Sequence, residues 1–230
     1  NIYDCTFTTT RLLNDNSIFP DAHICMDNVS GIQIGGCTFE NTMSYSTTVL
    51  PDIGTPYYTD CRGIGIKTNM SYFNTYSANN FKKLYYGVYV NGFYSSSVKI
   101  LNSTFTNNYR GIYVNSNPGC KIKGNDISIH KTGTIFLNPD NDVDFGAYIE
   151  SCSTFTFEEN TISNATTGLY VYNSGSSANT VKYNTFIGET NHIGFQPIGP
   201  LPSTYNAIIV TGVNSNHVNG SSNTTGDIGL

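Results

Sequence analysis

The sequence predicts an all-β solenoid, in which one chain winds into successive coils of short strands. Two phrases return along the chain, and self-similarity at a fixed period is the signature of repeat architectures. The first is Gly-x-Tyr-x, at 87–90, 111–114, 146–149 and 168–171. The second contains a polar pair and ends in Phe or Ile, at 102–105, 124–127, 159–162 and 183–186. Within the first phrase, apolar residues alternate with Tyr at a period of two, which favours strands over helices.

The length of the repeat narrows the choice among solenoids. The anchor positions are Gly63, Gly87, Gly111, Gly146 and Gly168, followed by His192. Where no insertion intervenes, the unit is about 22–24 residues long, which excludes two-helix repeats and the ~40–50-residue blades of propellers. We therefore expect two or three strands per unit, with neighbouring coils ~4.8 Å apart. The same register extends backward to positions 23–26 and 63–66.

An inward polar column is predicted two positions before each Phe or Ile, because period-two alternation turns both to the same side. The column reads Cys5, Cys37, Asn79, Ser103, Asn125, Asn160 and Asn184. Stacked Asn amides can satisfy one another and the turn backbone, so we interpret the column as structural.

The six cysteines match no zinc-binding spacing. Small buried thiols are one interpretation. The other is one or more disulfides, of which Cys5–Cys37 is favoured because these residues lie one coil apart.

Composition restricts the partners and the compartment. Charged residues make up 12% of the chain, and the net charge is −5 with no run of Lys or Arg. This balance argues against nucleic acid as a partner. No apolar stretch approaches the roughly 18 residues that mark a membrane-spanning helix, so we expect no membrane insertion. The few charges and many Asn, Thr and Tyr favour an extracellular or cell-surface location. The chain opens inside a repeat, so we expect flanking domains of a longer protein.

Residues 111–127, Gly-Ile-Tyr-Val-Asn-Ser-Asn-Pro-Gly-Cys-Lys-Ile-Lys-Gly-Asn-Asp-Ile, resemble the right-handed parallel β-helix repeat. Pectate lyases, polygalacturonases, alginate epimerases, phage tailspikes and many bacterial surface proteins share that repeat. The resemblance covers about residues 1–212 and implies one domain over 1–230 with about eight coils. It leaves 213–230 as a cap or linker, and it says little about activity, because one fold hosts many chemistries.

Two outward columns form the candidate binding surface. The first reads Cys25, Gly65, Tyr89, Tyr113, Tyr148 and Tyr170, and the second Asp27, Lys67, Asn91, Asn115, Glu150 and Tyr172. Aromatic faces beside amide and carboxylate groups suit sugar rings, so we predict binding of a polysaccharide or surface glycan. The ligand-binding candidates are Tyr89, Tyr113, Tyr148, Tyr170, Asn91, Asn115, Asp27 and Lys67. The alternative is a ladder of tyrosines that only stabilises the sheet.

Three insertions, at 8–22, 40–62 and 128–145, are expected at one corner of the solenoid, and such clustering often marks a binding face. Loops 8–22 and 40–62 would wall a recess lined by His23, Asp27, Lys67 and Arg62. A fourth stretch, 195–202, is Pro-rich and is predicted to be a loop.

The third insertion carries Asp140, Asp142 and Asp144, whose alternating carboxylates suit Ca²⁺. The segment lacks the Gly and distal Glu of an EF-hand loop, and a solvated polar turn is the alternative.

The sequence leaves catalysis open. Glycoside hydrolysis needs two carboxylates ~5–9.5 Å apart, whereas Asp27 and Glu150 are expected four coils, or ~19 Å, apart. The polygalacturonase signatures Asn-Thr-Asp and Gly-His-Gly do not occur. A polysaccharide lyase under loops 8–22 and 40–62, with Lys67, Arg62 or Arg110 as its base, is the rival function. A structural stalk or adhesin segment is the third.

Overall fold

The computed structural model describes residues 1–9, 22–42, 63–92, 97–129, 144–165, 167–174, 179–189, 206–211, 218–221 and 224–228. These residues form 23 strands in three parallel sheets, named A, B and C. Sheet A contains β1 (Ile2–Tyr3), β4 (Ile32–Gly35), β7 (Phe73–Thr75), β10 (Lys99–Leu101), β13 (Lys121–Lys123), β16 (Thr156–Glu158), β19 (Asn179–Lys182) and β22 (Val218–Ser221).

The other two sheets interleave with sheet A along the chain. Sheet B contains β2 (Thr6–Thr9), β5 (Thr38–Asn41), β8 (Asn80–Lys82), β11 (Thr104–Asn108), β14 (Asp126–Ile129), β17 (Thr161–Ser163), β20 (Thr185–Glu189) and β23 (Thr224–Ile228). Sheet C contains β3 (Ala22–Asp27), β6 (Ile64–Asn69), β9 (Tyr86–Asn91), β12 (Arg110–Asn115), β15 (Phe145–Glu150), β18 (Thr167–Tyr172) and β21 (Asn206–Thr211).

Each coil runs from sheet A to B to C, and each strand pairs in parallel with its counterpart one coil later. The described strands make seven full coils and an eighth represented by β22 and β23. The predicted fold, an all-β parallel β-helix of about eight coils, is confirmed. Both final strands lie inside 213–230 and pair with β19 and β20. The cap or linker proposed for that segment stays a prediction.

The predicted register is wrong in two coils. Ile64 pairs with Tyr86 and Ile66 with Val88, so Gly65, and not Gly63, lies opposite Gly87. Gly63 instead has a φ of 86° and lies just before the strand. The sequence offered two glycines in this coil, and spacing alone selected the wrong one.

The second register error lies near the carboxyl end. Thr167 pairs with Asn206 and Leu169 with Ile208, so Ala207, and not His192, lies opposite Gly168. The Pro-rich stretch 195–202 precedes β21, and prolines cannot donate to a sheet ladder. His192 lies outside the described residues.

The inward Asn column is a continuous hydrogen-bonded ladder. The backbone N–H and the side-chain amide of Asn125 both donate to Asn160 Oδ1, and those of Asn160 both donate to Asn184 Oδ1, all at 3.0 Å. The amides of Asn125 and Asn160 also donate to the carbonyls of Ile100 and Ile122. The prediction of a structural, buried polar column is confirmed, because the described amides in it bond to a neighbouring coil or turn.

Beside this ladder lies a stack of rings that explains the recurring glycine. Phe39, Phe81 and Phe105 stack with centroids 4.8 and 4.6 Å apart. A Cβ on Gly87 would lie under 3.0 Å from the Phe105 ring, and one on Gly111 would lie under 3.0 Å from the carbonyl oxygen of Gly146. Gly87 and Gly111 therefore face inward at the corner between sheets B and C, where an added side chain would collide with the ring stack or with the next coil.

The described cysteines are all free thiols, and Cys61 lies outside the described residues. Of the two interpretations, free thiols therefore hold for these cysteines, and the Cys5–Cys37 disulfide of the alternative is not formed. The two residues do lie in adjacent coils, but the Cys5 thiol donates to the carbonyl of Tyr3 at 3.1 Å and that of Cys37 to the carbonyl of Gly35 at 3.4 Å. Each thiol thus points toward its own backbone, and Cys37, Cys120 and Cys152 pack as buried residues.

The insertions leave at one corner, between sheets B and C, as their flanking strands show. The connections run between β2 and β3, β5 and β6, and β14 and β15, and a fourth runs between β20 and β21. The loops themselves lie outside the described residues. In the described ranges no helix has the length and apolarity needed to cross a membrane.

Candidate functional site

The tyrosine column on the outer face of sheet C exists. Tyr89, Tyr113, Tyr148 and Tyr170 lie opposite one another in successive strands, and each is half-buried. The rings of Tyr89 and Tyr113 are 4.8 Å apart. Toward the amino end the column continues with Lys67 and Cys25, because Lys67 pairs with Tyr89. The predicted place of Gly65 in this column is wrong.

The second outward column also differs from its prediction by one member. Asn69, and not Lys67, lies between Asp27 and Asn91. Its amide donates to Asp27 Oδ1 at 3.0 Å, and the Asn115 amide donates to Asn91 Oδ1 at 3.1 Å. The polar side chains of this column therefore bond in pairs from one coil to the next.

The ring orientations divide the tyrosine column into two parts. Tyr89 and Tyr113 are stacked with planes 19° apart, so each ring covers one face of the other. For this pair the structural ladder describes the geometry better than an open aromatic platform does. Tyr148 breaks the stack, because its ring is 89° from that of Tyr113 at a centroid distance of 5.3 Å.

A cleft of about 490 Å³ opens at this break. Its walls are aromatic: Tyr86, Tyr89, Tyr113, Phe145, Tyr148 and Tyr170. Its polar groups are Arg110, Asp144 and Thr167. Its volume lies within the ~300–1,000 Å³ range of small-molecule sites, and the cleft is half open to solvent.

Arg110 is the cation of the cleft. It precedes the inward-facing Gly111, so the chain turns at the corner and presents the arginine outward. Its guanidinium donates to the Tyr86 hydroxyl and lies 5.2 Å from the ring centroids of both Tyr86 and Phe145. Burial lowers the pKa of Arg110, but the neighbouring tyrosines raise it above its ordinary value. The guanidinium is therefore a permanent positive charge held by aromatic rings.

The phenols of the cleft are neutral hydrogen-bonding groups. Tyr113 donates to Glu150 Oε2 at 2.6 Å, and burial together with this carboxylate raises its pKa far above the ordinary value. Burial and the charge of Glu150 raise the pKa of Tyr148 to about 12. Burial also raises the pKa of Tyr86 and of Tyr89. Each hydroxyl therefore keeps its proton at neutral pH, and the one proton of Tyr113 is used in its bond to Glu150.

His23 does not line the recess that the sequence predicted beside it. The His23 ring stacks on Phe7 and Phe39, and its Nε2 lies 2.7 Å from Thr9 Oγ1, so it faces the core. It lies opposite Gly65, in the inward column that glycine fills elsewhere. Burial lowers its pKa. Arg62 and both loops lie outside the described residues, so the recess beside Asp27 and Lys67 stays a prediction.

Three residues of the cleft, Tyr86, Phe145 and Thr167, were absent from the sequence prediction, and Arg110 was considered only as a possible base. These four residues share one position, directly before the glycine of the first phrase, and pair across coils. Strict period-two alternation assigns this position to the inner face, because it lies three residues, an odd number, before the outward tyrosine. The signal becomes readable only once the glycine is known to face inward.

The carboxylates near the cleft do not form a hydrolytic pair. Asp144 lies directly before β15 and Glu150 is the last residue of that strand, so the two are ~20 Å apart, beyond the ~9.5 Å limit for cooperation. Within the ranges that the structure describes, no group of three or more His, Cys, Asp or Glu side chains is placed to hold a metal ion. Asp140 and Asp142 lie outside those ranges, so the Ca²⁺ site with Asp144 stays a prediction.

Together the three parallel sheets, the Asn ladder and the loops at one corner define a solenoid with an aromatic cleft on its outer face. The family model described as a right-handed beta helix region matches residues 22–223. That match covers most of the 230 residues, and the chain belongs to the right-handed β-helix family. No curated protein and no solved structure matches the chain.

Proposed function

We propose that this chain is a carbohydrate-binding module that seats a sugar ring in the cleft between Tyr113 and Tyr148. The break in the tyrosine stack carries the proposal, because it opens aromatic surface next to Arg110 and Asp144. A sugar ring offers an apolar C–H surface and a set of hydroxyls, and the cleft offers a partner for each.

The hydrogen-bonding groups in the cleft suit a neutral sugar. The phenols of Tyr86 and Tyr148 can donate and accept, Arg110 donates, and Asp144 and the Tyr113 hydroxyl, whose proton goes to Glu150, accept. The positive charge of Arg110 and the negative charge of Asp144 lie in the same cleft, so neither sign of ligand charge is favoured by their sum. Hydroxyl groups need no counter-charge, and they use both donors and acceptors.

A longer glycan would extend along the solenoid axis. Neighbouring tyrosines of the column lie one coil, or ~4.8 Å, apart, and Tyr89 and Tyr170 extend the lining of the cleft along this axis. Asn91 and Asn115 lie two residues beyond the column, where they can reach the edge of such a chain. We propose a polysaccharide or surface glycan as the partner and an extracellular or cell-surface location, supported by the low charge content of 12%.

The test is a glycan array followed by titration calorimetry with the best neutral ligand. Tyr148→Ala removes a wall of the cleft, and we expect at least a tenfold loss of affinity, or ~1.4 kcal/mol. Tyr3→Ala is the matched control: Tyr3 is an exposed tyrosine of β1 in sheet A, and it does not line the cleft. It should bind like the unmodified chain.

Thermal melts of both variants separate binding from folding. Equal affinity for the Tyr148→Ala and unmodified chains, both folded, would refute the cleft as the site. If incubation with uronic-acid polymers produced new ultraviolet absorbance from unsaturated sugar ends, the result would favour the rival function, a polysaccharide lyase, over a binding module.

A further inference from the structure

The outer face of sheet A carries four lysines, half of the eight in the chain. Lys99 and Lys121 lie opposite each other in adjacent coils. Lys123 and Lys182 lie on either side of Glu158, since Lys123 pairs with Glu158 and Glu158 with Lys182. This surface, the lysine face, lies on a different sheet from the tyrosine column.

The lysine face contains more positive charge than its carboxylates can balance. The carboxylate oxygens of Glu158 lie 3.1 Å from Lys123 Nζ, 3.3 Å from Lys182 Nζ and 3.7 Å from Lys121 Nζ. Lys123 Nζ also lies 2.8 Å from Glu159 Oε1. Four ammonium groups therefore face two carboxylates, on a chain whose net charge is −5. One lysine would suffice to pair with Glu158, so pairing with that carboxylate does not explain why the face has more ammonium groups than carboxylates.

Glu158 holds the lysine heads at the surface. Its side chain is 10% exposed, whereas those of Lys121, Lys123 and Lys182 are 39%, 32% and 36% exposed. Burial raises the pKa of Glu158, but the hydrogen bonds and charges of Lys123 and Lys182 outweigh burial and leave the pKa below its ordinary value. The carboxylate stays ionised, and the ammonium groups above it remain open to a second anion.

Exposed aromatic residues adjoin the lysine face at both ends. Tyr76 follows β7 and is 71% exposed, and Tyr183 follows β19 and is 55% exposed. The ammonium of Lys182 lies 5.4 Å from the Tyr183 ring centroid. Four coil steps separate β7 from β19, so the surface is ~19 Å long. Its length suits a chain molecule rather than a single small ion.

We infer that the lysine face binds an acidic polysaccharide that runs along the solenoid axis. Nucleic acid fits less well, because duplex DNA carries a charge every ~1.7 Å along its axis. The lysines instead repeat at one or two coils, ~4.8 to ~9.6 Å, which suits a polymer with a single carboxylate on each sugar ring. Tyr76 and Tyr183 provide surfaces on which sugar rings can pack.

Polygalacturonate is the test ligand, with its methyl ester as the neutral counterpart and duplex DNA as the competing polyanion. We expect the unmodified chain to bind polygalacturonate at low salt and to release it at high salt, and we expect no salt-dependent binding of the ester. Lys99→Gln with Lys121→Gln should weaken binding about tenfold, since each lysine near an anionic surface contributes ~1 kcal/mol or less. Glu158→Gln should strengthen it a few-fold.

Two controls isolate the lysine face. Lys82→Gln with Lys83→Gln removes the same charge from sheet B and the turn after it, and should leave affinity within about twofold. Tyr148→Ala should also bind polygalacturonate normally, so failure of the sheet C cleft and failure of this inference are distinguishable. The inference is overturned if polygalacturonate does not bind, if both lysine pairs cost the same affinity, or if DNA binds as tightly.

Discussion

Residues at the inner corner of the coils repeat more regularly from one coil to the next than residues on the outer face. Inside, the polar column and the ring stack change little over several coils, and Asn160 and Phe105 each contact the equivalent residue one coil away. Outside, the tyrosine column changes ring orientation at Tyr148 and turns into Lys67 and Cys25 toward the amino end. The inner columns therefore specify the solenoid, and the outer columns are free to specify a ligand.

This contrast predicts that inner substitutions cost stability whereas outer ones cost binding. The largest effect is expected at Gly111, where an added Cβ would lie under 3.0 Å from the carbonyl oxygen of Gly146 and 2.8 Å from Ile127 Cγ2. Gly111→Ala should destabilise the fold by about 3 kcal/mol, at the upper end for overpacking. Denaturant unfolding measures the loss.

Gly31 provides the matched control for that substitution. Nothing lies within 4 Å of the position that its Cβ would take, but its φ is 75°. Gly31→Ala should cost only the left-handed backbone strain, about 1 kcal/mol. Equal losses at Gly31 and Gly111 would show that close approach is not the reason for the recurring glycine.

The next effect is expected in the Asn ladder. Asn160→Ala leaves the backbone N–H of Asn125 and the carbonyl of Ile122 without their side-chain partner. Each orphaned buried group costs ~1–3 kcal/mol, so we expect a loss of about 2 kcal/mol or more in the free energy of unfolding.

Asn115→Ala is the outer counterpart of that change. It breaks the bond to Asn91 at a half-buried site. Surface substitutions usually change the free energy of unfolding by about 0.5 kcal/mol or less, and we expect the same here. If Asn115 and Asn160 proved equally costly, the distinction between inner and outer columns would fail for polar residues.

The sequence predicted the inner columns far better than the outer ones, for a physical reason. Asn125, Asn160 and Asn184 stand at a fixed offset from Phe or Ile, because each must bond to the next coil. Outer positions such as Lys67 need no equivalent neighbour, so nothing in the sequence corrected the choice of Gly63 over Gly65.

The cleft illustrates a second limit of sequence reasoning. The tyrosine column could be predicted from alternation, and the structure confirms its adjacency. The break at Tyr148 depends on ring torsions, which follow from packing against Phe145 and Tyr170. Alternation also fails at Arg110, because the inward turn of Gly111 reverses the pattern there. Side-chain orientation and corner geometry are tertiary properties that a single repeat does not encode.

The smallest expected effect concerns the outer tyrosines at high pH. Burial and Glu150 raise the pKa of Tyr148 from 10.0 to about 12 in the folded chain. The unfolded chain therefore loses this proton first, and the associated stability is complete below pH 10 and declines as pH rises toward 12. Tyr148→Phe has no proton to lose, so its stability should fall less steeply across that window.

Tyr183→Phe, on another face, is the control and should follow the unmodified chain. Urea unfolding at stepped pH measures the slopes, and identical slopes for Tyr148→Phe and the unmodified chain would place Tyr148 in an environment no more buried than the surface.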